Sequence, residues 1–144
     1  MTFQYRCIQL EQYINSLGYI IRESSCYAIV PETREILIPN QNVNYRLRFF
    51  GLLHEAGHIL ESPYTIPLRS KAQAAFYIIN SELMAWHTGY TIAQTQCACT
   101  ESELLGYWEH AADCINSYIQ FTASTSKAEL VRIARSYRNL TQTL

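Results

Sequence analysis

Apolar and polar positions recur along the chain with two periods, and the switch between them separates an opening helix, a small sheet and a long helical remainder. From Gln4 to Ser16, Ile8, Tyr13, Ile14 and Leu17 fall at loosely helical spacing, and Gly18 follows where a helix C-terminus favours a left-handed residue. Three short β-prone runs come next, Tyr19–Arg22, Cys26–Val30 and Glu35–Pro39. The turn-like Pro31, Glu32, Thr33 and Arg34 separate the last two.

Asn40, Gln41 and Asn42 offer capping chemistry before a long segment, Val43 to Glu61, closed by Ser62 and Pro63. In its second half Phe49, Phe50, Leu52, Leu53, Ala56, Ile59 and Leu60 would surround a helix on nearly every side, so this central helix is predicted to be buried all round. The few polar residues inside it therefore need a reason. A loop with two prolines leads to a helix predicted from about Ser70 to Tyr90 or Ala93. Its stripe of Ala75, Ile78, Ile79, Ala85, Trp86 and Gly89 has Glu82 in the middle. Thr100 with Glu103 and Ser126 with Glu129 read as capping boxes, predicting helices over roughly Glu101–Gln120 and Lys127–Thr143. The pattern is α+β and mainly helical, with a small three-stranded sheet before the central helix. No repeat or long linker divides residues 1–144, so one domain is expected.

Composition agrees with one packed core: 49% of the 144 residues are hydrophobic and 16% charged. Eleven Lys and Arg against twelve Asp and Glu leave a formal charge of -1, which supplies no basic field for direct nucleic-acid binding. No apolar run approaches the ~20 residues of a membrane span. The start, MTFQYRCIQLEQ, places Arg6, Gln9 and Glu11 where a signal peptide would be apolar, so a cytoplasmic protein without a membrane partner is expected. Five cysteines with no CxxC pair argue against a disulfide scaffold. Cys97, Cys99, His110 and Cys114 could together close around a metal, but the one-residue gap of Cys97-Ala98-Cys99 favours packed free thiols. Arg132, Arg135 and Arg138 recur every three residues and read as a solvated face, with an acidic or phosphate-bearing partner as the alternative.

Inside the buried helix stands His54-Glu55-Ala56-Gly57-His58, an HExxH sequence. Residues four apart return to one helical face, so both imidazoles can address one point, as tetrahedral zinc requires. Glu55 is rotated by ~100° from His54 and projects beside the pair, the placement of a general base. Chance would supply this pattern roughly 0.008 times in a chain of this composition. A catalytic zinc site takes three protein ligands, and Glu82 is the strongest third candidate because an unpaired carboxylate on a core-facing stripe is costly. Glu61, on the same helix end as His58, and His87, off the Glu82 face, are weaker candidates. Without a metal, Glu82 would pair with Arg46 or Arg69 or turn to solvent. Tyr64, His87, Tyr90 and His110 are all possible oxyanion donors, and none is singled out. If Glu35–Pro39 is a sheet edge, it could pair with an extended substrate.

HEAGH at His54–His58 followed by Glu82 in SELMAW resembles the ImmA/IrrE type of zinc metallopeptidase of bacteria, phages and mobile elements, over roughly Tyr19 to Ala93. The resemblance implies a zincin-like fold with His54, His58 and Glu82 as zinc ligands and Glu55 as catalytic base. It also implies a protein substrate, with a transcriptional repressor as one candidate; 144 residues leave no room for an added DNA-binding domain, so such a regulator would be a separate protein. Two functions follow as expectations: a zinc endopeptidase acting on a specific protein partner, or a zinc-stabilised, non-catalytic module that sequesters its partner. Glu55 discriminates between them, since a purely structural site has no use for it.

Overall fold

A computed structural model describes residues 1–40, 44–61 and 66–142. Its elements run α1 (Phe3–Ser16), β1 (Ile20–Ser24), β2 (Ala28–Val30), β3 (Glu35–Pro39), α2 (Tyr45–Ile59), α3 (Lys71–Thr95), α4 (Tyr107–Ser124) and α5 (Lys127–Gln142). The α+β class and the three strands before the central helix match the sequence pattern. No described helix is long and apolar enough to cross a membrane.

The Thr2 side chain caps α1 by accepting from the Tyr5 N–H, and Gly18, at φ +88°, turns the chain away in the left-handed conformation expected of it. The helix buries Arg6, Cys7, Leu10 and Ile14, while Ile8 stays exposed. In the sheet β3 is central, parallel to β1 through Ile21↔Ile36 and antiparallel to β2 through Ile29↔Ile36. The reading of Glu35–Pro39 as an edge is thus corrected: β1 and β2 are the edges. Ile36 and Ile38 are fully buried, and putting the most aliphatic strand in the middle covers them from both sides.

Asn44 caps α2 by accepting from the Leu47 N–H; of the caps expected upstream, Gln41 and Asn42 lie outside the described residues, as do Ser62 and Pro63 beyond the helix. From Phe49 to Ile59 every residue of α2 except the half-buried Gly51 is buried. A reciprocal capping box, Ser70 with Gln73, starts α3. That helix lies hard against α2. A Cβ on Gly57 would sit 2.0 Å from the Ala85 carbonyl oxygen, and one on Gly89 2.6 Å from that of Leu53. Only glycine permits this approach.

The expected start of α4 is also corrected. Thr100 and Glu103 do exchange the hydrogen bonds of a capping box, but turns follow, and the helix begins only after Gly106, at φ +83°. Glu103 also serves a second partner: both its carboxylate oxygens accept from the buried Arg6 at 2.8 Å, joining this loop to α1. The Ser126 hydroxyl accepts from the Glu129 N–H and starts α5 as expected. One apolar core joins α1, β3, α2 and the far half of α3, with Tyr107 of α4 within it. A smaller one, with Ala74, Tyr77, Ile78, Leu130 and Ala134, joins the near half of α3 to α5. The reading of Arg138 as solvated does not hold, because its guanidinium donates to the Ile66 carbonyl and lies 4.8 Å from the Tyr77 ring centroid. Arg132 is exposed and pairs with Glu129 one turn back.

Candidate metal centre

His54 and His58 reach the seam between the two cores from α2, and Glu82 meets them from α3. The Nε2 atoms of the two imidazoles are 3.1 Å apart, Glu82 Oε2 is 2.7 Å from His54 Nε2, and Glu82 Oε1 is 3.3 Å from His58 Nε2. One ligand atom from each residue lies within 4.8 Å of the others, the one such group of three His, Cys, Asp or Glu among the described residues. All three residues are buried, Glu82 to 1% exposure. The alternative pairings of Glu82 with Arg46 or Arg69 are not formed: Arg46 donates to the Leu105 carbonyl and lies over Phe50.

The chemistry of this donor set fits a zinc ion. Two imidazole nitrogens and a carboxylate at these separations approach the about 3.3 Å edge of a tetrahedron with bonds near 2.0–2.1 Å. Glu82 Oε2 is buried, and the group it faces is the His54 Nε2 that a shared ion would also engage. Burial would raise the Glu82 carboxyl, but His58 and His54 outweigh it and hold the group well below the usual carboxylate range. Burial likewise opposes charge on His58, yet Glu82 and Glu61 raise its pKa well above the ordinary value. The pocket favours a positive charge at this point, whether proton or metal.

Glu61 has a different role from the ligand alternative considered for it. Its Oε2 lies 3.2 Å from His58 Nδ1, so it holds the far side of that ring and turns Nε2 inward. His54 is oriented by packing instead, its ring stacked on Trp86 at 4.2 Å between centroids. Trp86 is fixed in turn by Tyr107, whose hydroxyl donates to the Trp86 carbonyl at 2.5 Å. Tyr137 of α5 completes the surround: its hydroxyl donates to Glu82 Oε1 at 2.5 Å, and its ring lies nearly parallel to that of His58, 12° apart in tilt. Burial and the neighbouring carboxylate push this phenol far up, so it remains a donor.

Glu55 stands apart from the converging atoms and lines the same cavity of about 390 Å³. Burial raises its carboxyl above the ordinary value, the direction that makes a carboxylate a better proton acceptor. The other walls are Tyr27 to Glu32, with Tyr118 of α4 and Ser136 and Tyr137 of α5. Of the expected oxyanion donors, Tyr64 lies outside the described residues. His87 and Tyr90 pack against Trp108, and His110 against Trp86 and Phe50, so none of these three faces the cavity. The tyrosines that do, Tyr27, Tyr118 and Tyr137, carried no sequence signal, because nothing in a periodic pattern says which remote segment returns to a buried motif.

The chain matches no family model, no curated protein and no solved structure. Cys97 and Cys99 do not join His110 and Cys114: the first two are buried near Arg6, which donates to the Cys97 carbonyl, while Cys114 Sγ lies 4.0 Å from His110 Nε2 on α4. All five cysteines are free thiols. Burial pushes the Cys97 thiol up to about 11 and the Cys7 thiol up to about 12, keeping both in the neutral form.

Proposed function

We propose that the protein is a zinc-dependent endopeptidase of zincin-like, ImmA/IrrE-related type, cutting a peptide bond in a specific protein partner. A separate transcriptional repressor is one candidate substrate. The observation that carries this reading is the convergence of His54, His58 and Glu82 on one point beside Glu55, with Glu82 Oε2 buried 2.7 Å from His54 Nε2. A zinc ion held by these three residues would polarise the scissile carbonyl and acidify the attacking water. Glu55, with its raised proton affinity, takes the proton from that water and returns it to the departing amine. The histidine rings keep their aim through Glu61 and Trp86.

A peptide substrate is favoured by the cavity wall. β2 is an edge strand that lines the cavity, and its outer backbone groups can pair with an extended chain. This role moves from β3, where the sequence suggested it, to β2.

Glu55→Gln tests the proposal. Zinc content and melting temperature should match wild type, while cleavage of a peptide library or of a candidate partner falls on the order of a hundredfold or more. Zinc binding without cleavage by either protein would leave the non-catalytic, partner-sequestering module in its place.

A further inference from the structure

The C-terminal helix has no part in the HExxH motif, yet it delivers a polar group to the heart of the site. Glu82 divides its two oxygens between different tasks: Oε1 accepts from Tyr137 at 2.5 Å, and Oε2 lies 2.7 Å from His54 Nε2. A carboxylate with both oxygens free can swing about its last torsion or offer both oxygens to an ion. One tethered by a phenol can do neither without losing a short hydrogen bond in a buried place.

Tyr137 is itself held on both sides along α5. Three residues earlier, Ala134 is fully buried in the smaller core, and one residue later Arg138 docks onto the Ile66 carbonyl and the Tyr77 ring. Its ring is also confined alongside His58, 5.9 Å between centroids. The hydroxyl therefore reaches Glu82 from a fixed support, which is what orienting a ligand requires.

We infer that Tyr137 is a positioning residue of the metal centre, tethering Glu82 Oε1 so that Oε2 alone is presented to the ion, and that α5 is thereby a structural part of the site. This rests on the zinc-site reading above and adds to it a residue and a helix outside the motif.

The test uses the full chain and the Tyr137→Phe variant, which keeps the ring and removes only the hydroxyl. Zinc affinity is measured by chelator competition, ligand geometry by the visible absorption of the cobalt(II)-loaded protein, and packing by the melting temperature of the metal-free form. Tyr90→Phe, a tyrosine packed on Trp108 away from the cavity, controls for loss of a hydroxyl as such. The expected result is zinc affinity 10- to 100-fold weaker in Tyr137→Phe, about the loss typical of removing an outer hydrogen-bond partner. The cobalt bands should shift as the carboxylate changes its mode of binding, and the metal-free melting temperature should fall by several °C, because a buried carboxylate oxygen loses its donor. Tyr90→Phe should change none of the three. Unchanged affinity with superimposable cobalt spectra would overturn the inference and leave Tyr137 as a wall of the cavity. A lower metal-free melting temperature with an unchanged cobalt spectrum would also overturn it, assigning the hydroxyl to the docking of α5. Wild-type protein that takes up no zinc or cobalt would instead overturn the metal-site reading itself, and this inference with it.

Discussion

Replacing Gly57 by alanine adds one methyl group where α2 meets α3, and the position it would occupy is already 2.0 Å from the Ala85 carbonyl oxygen, 2.8 Å from its carbonyl carbon and 3.0 Å from its Cα. These are backbone atoms inside a 25-residue helix, so no side chain can swing aside. Restoring an ordinary contact requires the helices to part by about 1 Å. Gly57 immediately precedes His58, and Glu82 lies three residues before Ala85 on the same face, so the separation opens the gap between the histidines and the carboxylate. Metal–ligand distances tolerate only about 0.2 Å. Zinc affinity should therefore fall on the order of 100-fold or more. Stability of the metal-free protein reflects two opposed effects: overpacking costs about 1–3 kcal/mol, and the better helix propensity of alanine returns about 1 kcal/mol. A net loss of about 1 kcal/mol is expected in urea unfolding with a chelator present. Gly51→Ala is the matched control, since its new methyl would meet only the ring of Tyr27, a 40% exposed side chain that can move, and zinc affinity should be unchanged. A Gly57→Ala protein that binds zinc like wild type and gains stability would refute the claim that this close approach sets the ligand spacing.

Glu82→Ala removes one of three converging ligands, so chelator competition should show zinc affinity reduced on the order of 100-fold or more and a melting temperature that zinc no longer raises. Unchanged affinity would reject Glu82 as a ligand. The Arg6–Glu103 pair makes a separate prediction about acid. The hydrogen bonds from Arg6 hold the Glu103 carboxyl down at about 2, so its contribution to stability is fully present above the ordinary value of 4.5 and is lost as pH falls through about 2. Glu103→Gln should lower stability at pH 7 by about 2 kcal/mol, leaving Arg6 buried with a weaker partner, and should flatten the dependence of unfolding free energy on pH below 4.5. Equal slopes in variant and wild type, both measured with chelator, would show that the pair is not what acid breaks.

What the sequence determined by itself was whatever depends on neighbours along the chain. HExxH spacing puts His54 and His58 on one face of any helix that contains them, and a run as apolar as Phe49 to Leu60 has to bury that helix. Glu82 stood out for the same local reason, a carboxylate on an apolar stripe, and Gly18 and Ser126 mark helix ends through the conformations and hydrogen bonds of single residues. Tertiary structure decided whatever requires two distant segments to meet. The Thr100 and Glu103 box formed its hydrogen bonds, but the turns that follow stop at Gly106, at φ +83°, before α4 begins, and the same Glu103 also accepts from Arg6, 97 residues away, a contact that no local rule contains. β3 became central because both flanking strands paired with it, a choice that alternation within one strand does not encode. Gly57 and Gly89 are unremarkable in a linear pattern and decisive once two backbones have to touch. Tyr137, Glu61 and Trp86 acquire their roles only when α2, α3 and α5 are packed together, since a hydroxyl, a carboxylate or a ring can orient a neighbour only from a position that folding has supplied.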